Sequence, residues 1–151
     1  MSPPYVAIVG ASEASATEMA NAETVGRLLA GAGAIVVCGG RGGVMAAACR
    51  GVAEAGGTAV GILPGLDRRA ANEWVTVALP TGLGELRNGL IIRAADVVVA
   101  IGGAYGTLSE IALALRAGVP VIGLGTWAID GVQEMSDPAE AVGRALALAA
   151  R

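Results

Sequence analysis

The sequence predicts an α/β fold, a three-layer αβα sandwich around a mainly parallel sheet of six or seven strands. Three observations carry this prediction. Short β-branched runs alternate with Ala- and Leu-rich stretches of helical length, as repeated βαβ units require. Most of those runs are apolar at consecutive positions, as strands covered by helices on both faces are. Glycines gather just after the runs, where open parallel sheets bind ligands.

The elements follow in order. Residues 5–9 read as a strand that breaks at Gly10. Ser15 and Glu18 have capping-box spacing and open a helix over 16–32, which Gly33 stops. A strand at 35–38 leads through a glycine cluster into a helix at 44–55, closed by Gly56. Strands at 58–63 and 75–78 precede a helix at 85–94 and a strand at 97–101. A helix at 107–117 ends at Gly118-Val119-Pro120, followed by a strand at 119–124. Asp137, Pro138 and Glu140 supply the N-cap, N1 and N3 residues of a last helix at 138–150. Nothing reads as a linker, repeat or charge block, so one domain is expected over residues 1–151.

Composition then restricts the chemistry. Of the 151 residues 54% are hydrophobic, enough for a core, and His, Lys and Phe are absent, so all ten basic residues are arginines. This removes His-based nucleophilic triads, His-ligated metals, Schiff bases and the lysine of a Walker A loop. A net charge of −3 and 3% aromatics argue against a nucleic-acid partner. Cys38 and Cys49 lie in apolar or small-residue runs without metal spacing and read as buried free thiols rather than a reactive site. Four scattered aspartates suggest no dedicated metal cage, so no metal is assigned. The N-terminus has no basic stretch before its apolar run, and no apolar run has membrane-spanning length, so a cytoplasmic protein with no membrane partner is expected.

The 24 glycines are the most informative residues. Gly10-Ala11-Ser12 follows the first strand, Gly39-Gly40-Arg41-Gly42-Gly43 the second, and Gly102-Gly103-Ala104-Tyr105-Gly106-Thr107 the fifth. A glycine-rich turn into a helix presents unpaired N–H groups and a positive dipole end, a phosphate site made without lysine. Arg41, inside a four-glycine loop, is read as a phosphate contact in preference to a solvent-exposed side chain, and Thr107 adds a hydroxyl and an N–H. Thr107 and Glu110 also have capping-box spacing, so Glu110 is open to a structural role, a ligand role or both. Asn72 reads as a turn residue or a ligand contact, and Tyr105 as a stacking platform, a solvent-facing tyrosine or an interface residue. Trp74 and Trp127 are assigned to packing or subunit contacts.

Residues 95–110, ADVVVAIGGAYGTLSE, resemble the phosphate-binding segment of the lonely-guy (LOG)-like Rossmann superfamily, and most of all its molybdenum cofactor carrier protein branch. Gly39 to Met45, Gly61 to Gly65, Ala71-Asn72 and Thr81 to Asn88 look like the same branch in the same order. The resemblance implies a Rossmann-like parallel sheet, a homodimer or homotetramer, and a phosphorylated ligand, nucleotide or molybdenum cofactor, at the glycine loops. No cofactor is implied as required.

In the related LOG phosphoribohydrolases, which are lysine decarboxylase-like, a glutamate and an arginine help cleave the N-glycosidic bond of a nucleoside 5′-monophosphate. By position they fall on Glu110 and Arg87. The lysine that follows the arginine in those enzymes is Asn88 here, and the proline opening their loop is Gly102. Arg-Asn and Gly102 are what the carrier branch shows, whereas Ala104 departs from the glycine usual in both branches. Three readings stand: a carrier or binding protein, a phosphoribohydrolase using Arg87 and Glu110, and a structural or metabolite-sensing oligomer.

Overall fold

The computed structural model describes residues 2–151. Seven strands form one sheet in the order β4-β3-β2-β1-β5-β6-β7. They are β1 Tyr5–Gly10, β2 Ile35–Cys38, β3 Thr58–Leu63, β4 Val77–Pro80, β5 Val97–Ile101, β6 Val121–Leu124 and β7 Val132–Glu134. All six pairings are parallel. Five α-helices connect them: α1 Ala16–Gly31, α2 Val44–Glu54, α3 Asn88–Ala94, α4 Tyr105–Ala117 and α5 Pro138–Ala149. The fold is therefore a Rossmann-like αβα sandwich, as the alternation of runs predicts.

Strand pleating divides the core in two. Val6, Ile8, Val36, Val97 and Val99 face a layer built by Val25, Leu29, Ala48, Val52 and Ala145 of α1, α2 and α5. The alternate residues Ala7, Val9, Val37, Val98 and Ala100 meet Ile91, Ile92, Ile111 and Ala114 of α3 and α4. Small residues set the helix spacing. A Cβ on Gly26 of α1 would run into the Ala48 carbonyl, and one on Gly51 of α2 into the Glu23 carbonyl.

Several elements differ from the sequence reading, beginning with β6, which starts at Val121 and not at residue 119 because the Val119 N–H is taken by the Ala114 carbonyl at the end of α4. The fourth strand begins at Val77, not at residue 75, and extends to Pro80. Trp74 and Val75 instead pack on the core, while Thr76 exchanges bonds with Ala59: its N–H donates to the carbonyl at 2.8 Å and its Oγ1 accepts the amide at 3.0 Å. Pro80 is tolerated because β4 is an edge strand. The helix expected at 85–94 is split into a 3₁₀ turn, Gly84–Arg87, and α3. Gly82 and Gly84, at φ of +67° and +60°, fold the preceding chain tightly, with Thr81 Oγ1 donating to the Leu63 carbonyl at 2.7 Å. The seventh strand, β7, has only three residues and lacks the apolar run that marks the others.

The chain winds from β1 toward β4 on one side and from β5 toward β7 on the other. The carboxyl ends of β1 and β5 therefore flank a topological switch point, the place where such sheets bind ligands.

Candidate functional site

A cleft of about 530 Å³ opens at that switch point. Its floor is the end of β1, with Ile8, Val9 and Gly10; its walls come from Ala11 to Glu13, Gly39, Met45, Arg87-Asn88 and the start of α4. Of the residues singled out from sequence, it brings together Gly10, Ala11, Ser12, Gly39, Arg87, Asn88, Ala104, Gly106, Thr107 and Glu110. Gly40, Arg41, Gly42, Gly43, Gly102, Gly103 and Tyr105 do not line it.

The absent glycines act from behind the cleft. Gly43, at φ +63°, is the N-cap of α2, and a Cβ there would strike the Ala11 and Ser12 carbonyls. The adjoining Val44 N–H donates to the Ala11 carbonyl at 3.1 Å, fixing the β1 loop from below. Gly40, at φ +76°, packs on Gly61 and Leu63. Arg41 is exposed, and its carbonyl accepts the Asn72 side-chain amide at 2.9 Å. Asn72 Oδ1 also accepts from the Trp74 N–H at 3.0 Å, the turn role that its sequence context suggests.

At the start of α4 none of the first three amides is bonded, where α2 has spent its first on the Ala11 carbonyl. The N-cap of α4 is Ala104, which has no side chain able to cap, and the N–H groups of Tyr105, Gly106 and Thr107 have no acceptor among the described residues. The helix thus begins two residues earlier than expected, which corrects the Thr107–Glu110 capping box: Thr107 lies inside the first turn and Glu110 in the second. Freed from capping, Glu110 lines the cleft and is 8% exposed. The loop before the helix is pinned by Thr126 Oγ1 donating to the Gly102 carbonyl at 2.6 Å and Trp127 Nε1 donating to the Ala104 carbonyl at 3.0 Å. Tyr105 is exposed and stacks on Trp127, with ring centroids 6.1 Å apart.

Gly102 adopts φ +56°, and a Cβ there would collide with the Glu18 carboxylate. Proline, locked near φ −65°, cannot adopt this conformation. The loop is therefore built in a shape that excludes the proline of the hydrolase pattern. Glu18 reaches this position from the α1 capping box, where its Oε1 accepts the Ser15 N–H at 2.9 Å. The spacing shows the box; only the fold shows its second contact.

Arg87 is held by backbone and side chain together. Nε donates to the Ile62 carbonyl at 2.8 Å, Nη2 to the Gly39 carbonyl at 3.4 Å, and Nη1 to Asn88 Oδ1. Gly39 leaves room for it, since a Cβ there would lie 2.7 Å from Nη2 and displace the guanidinium. Burial lowers the Arg87 pKa while Glu110 opposes the shift. Burial likewise pushes the Glu110 carboxyl up to about 7, with Arg87 pulling it down. The ion pairs among the described residues lie elsewhere, on α1, α2 and the 67–69 turn, so Glu110 has no cation within 4.0 Å. Met45 and Glu13 also line the cleft and were not singled out from sequence. Glu13's position directly after the Gly10-Ala11-Ser12 turn is the signal that would have found it.

No group of three or more potential metal ligands exists among the described residues, and no described helix is long and apolar enough to cross a membrane.

A model of the SLOG cluster4 family matches residues 3–149. The chain belongs to the SLOG cluster4 family. An uncharacterized protein of Archaeoglobus fulgidus is 36% identical over 138 residues, 91% of each chain. Among solved structures, the molybdenum cofactor binding protein from the phototrophic bacterium Rippkaea orientalis superposes with a TM-score of 0.93 at 34% identity, covering 98% of each chain. The molybdenum cofactor carrier protein of Chlamydomonas reinhardtii gives 0.91 at 32% identity, covering 99% of this chain and 100% of that one. The solved structures that share this fold across nearly the whole chain thus include proteins described as a molybdenum cofactor binding protein and a molybdenum cofactor carrier protein.

Proposed function

We propose that this SLOG family member binds a phosphorylated heterocycle, a nucleotide or the molybdenum cofactor, in the cleft at the ends of β1, β2 and β5, and carries it without turnover. The observation that bears most weight is the uncapped start of α4, whose first three N–H groups have no acceptor among the described residues and two of which, on Gly106 and Thr107, belong to residues that line the cleft. A phosphate accepts from such groups and is favoured by the helix dipole. Arg87 supplies the nearby cation, oriented by three acceptors before any ligand arrives. Glu110 accepts hydrogen bonds from N–H or O–H groups of the heterocyclic portion. The cleft volume of about 530 Å³ suits a ligand of this size. The relatives described as molybdenum cofactor binding and carrier proteins support the carrier role.

A phosphoribohydrolase is the second reading. Glu110, with a pKa near 7, is suited to proton transfer at neutral pH. Against it stand Asn88 in the lysine position, engaged with Arg87, and the proline-excluding Gly102. In the carrier reading the protein acts in the cytoplasm as a homodimer or homotetramer; exposed Leu66 and Leu86 support self-association, which sedimentation would test.

Incubation with AMP and related monophosphates, followed for free base and ribose 5-phosphate, separates the readings. The carrier gives no product, while AMP or molybdenum cofactor stabilises it by ~2.7 kcal/mol at a hundredfold excess over Kd. Turnover abolished by Glu110→Gln would establish the hydrolase instead. Failure of every phosphorylated ligand to bind would leave the structural or sensing oligomer.

A further inference from the structure

Cys38 and Cys49 have no part in the proposed binding chemistry, yet the fold brings them together. Cys38 is the last residue of β2 and Cys49 lies on α2, and their Sγ atoms are 3.5 Å apart. Both thiols are free and buried. They bracket the glycine loop 39–43 at its base, and the Gly40 N–H donates to Cys38 Sγ at 3.3 Å. The 67–74 segment, exposed at residues 67–70 and half-buried at Asn72 and Trp74, covers this region, with the Asn72 N–H donating to the Gly40 carbonyl at 2.9 Å.

We infer that Cys38 and Cys49 are a modification site: a dithiol that hydrogen peroxide converts to an intramolecular disulfide, locking the glycine loop to α2. The sulfurs need to approach by ~1.5 Å to reach bonding distance. Each cysteine is placed so that the other is its nearest thiol partner, which directs oxidation to a disulfide rather than to higher acids.

The reaction balances with peroxide as the oxidant. The Cys49 thiolate attacks one peroxide oxygen, the O–O bond breaks, and the departing hydroxide takes a proton to become water. The sulfenic acid so formed is attacked by Cys38 sulfur; the S–O bond breaks and the oxygen leaves as a second water with the Cys38 proton. Two thiols are oxidised by two electrons and one peroxide is reduced. Cys49 is the better first nucleophile because the hydrogen bond from Cys38 lowers its pKa against the effect of burial, with Asn72 adding to the lowering. Cys38, by the same contact and by burial, is raised and stays protonated until it resolves. Peroxide is small enough to enter through local opening of the exposed loops.

The link bears on the cleft, since Gly39 is next to Cys38 and its carbonyl accepts from Arg87. The test uses the full-length protein, reduced, exposed to hydrogen peroxide, and then digested without reductant for peptide mapping. The expected product is a single cross-linked peptide pair joined through Cys38 and Cys49, lighter by two hydrogens and reopened by dithiothreitol. Its Tm rises by ~5 °C over the reduced form. In Cys49→Ala the same exposure leaves Cys38 as a thiol. The inference fails if both thiols of the wild-type protein survive the exposure, if they are oxidised separately to sulfinic or sulfonic acids, or if the link forms between molecules. Because the wild-type peptide map decides this alone, a variant that does not fold leaves the test intact.

Discussion

The two long glycine loops, Gly39 to Gly43 after β2 and Gly102 to Thr107 after β5, look equivalent in sequence: each follows a buried strand and opens a helix. In the structure they do different work. In the first, glycines make room for other atoms: Gly39 for Arg87, Gly40 for Gly61 and Leu63, Gly43 for the carbonyls of Ala11 and Ser12. The first amide of its helix is already spent on the Ala11 carbonyl, leaving those of Met45 and Ala46 without a partner among the described residues. In the second, Gly102 and Gly103 shape the turn, but Gly106 faces open space and the helix amides are unspent. An anion site is therefore marked less by glycine count than by whether the N–H groups beyond the glycines have found partners.

The largest effect expected from this contrast is at Gly43. Gly43→Val places a branched side chain into two carbonyls at a positive φ. Overpacking and backbone strain together cost about 4 kcal/mol. Urea denaturation measures the loss, and a value within experimental error of wild type would mean that the first loop is not the rigid support its geometry indicates.

Next comes Glu110 in the second region, a buried carboxyl with no ion-pair partner. Its folded pKa of about 7 lies above the ordinary 4.5. Between those values the folded state holds a proton that the unfolded state has released, so stability falls as pH rises from about 4.5 to 7 and then levels. The contribution lost is on the order of 3 kcal/mol. Glu110→Gln removes this pH dependence and makes the ligand-free protein more stable at pH about 8, by up to the same ~3 kcal/mol. Thermal melts from pH 4 to 8 follow both curves; parallel curves would show that the fold leaves the Glu110 pKa at its ordinary value.

Arg87 joins the two regions, because it reaches from the 3₁₀ turn to Gly39 and faces the cleft beside α4. Arg87→Ala leaves the carbonyls of Ile62 and Gly39 and the Asn88 amide without their donor. A stability loss of about 2 kcal/mol is expected. Phosphate-bearing ligands should bind ~10-fold to 100-fold more weakly, since a charge-assisted contact is removed. Titration calorimetry with AMP would detect this, and unchanged affinity would remove Arg87 from the proposed site.

The fold was legible in the sequence because its cues are local. Runs such as Val97 to Ile101 are apolar throughout, and Ser15-Glu18 and Asp137-Glu140 cap their helices as their spacing suggests. What escaped was decided by distant partners or by weak local signals. β7 pairs through Val132 to Glu134 against β6, with too few apolar residues to register alone. The Thr107–Glu110 spacing suggested a cap, but Ala104 begins the helix and Trp127 holds it there through a contact 23 residues away. Gly10, Gly39 and Gly106 stand out by their place after strands, Arg87 and a ligand-side role for Glu110 by family resemblance, and these residues meet in one cleft. The difference between the two glycine loops could not be read, because it depends on which carbonyls lie within reach of each helix start.

The smallest effect on stability is at Gly106, and it discriminates best between support and binding. No atom lies within 4 Å of the place a Cβ would occupy, so Gly106→Ala meets no clash. The site is in the first turn of α4, where alanine also reduces the freedom of the unfolded chain. The variant should therefore gain ~0.5 kcal/mol in the absence of ligand. In the proposed site the added methyl stands where the phosphate approaches the helix amides, so AMP affinity should fall even as stability rises. A stability gain with unchanged AMP binding would place the anion away from α4. A stability loss would show that the open space at Gly106 is filled in solution by another part of the molecule, and the distinction between the two loops would have to be drawn on the β2 side instead.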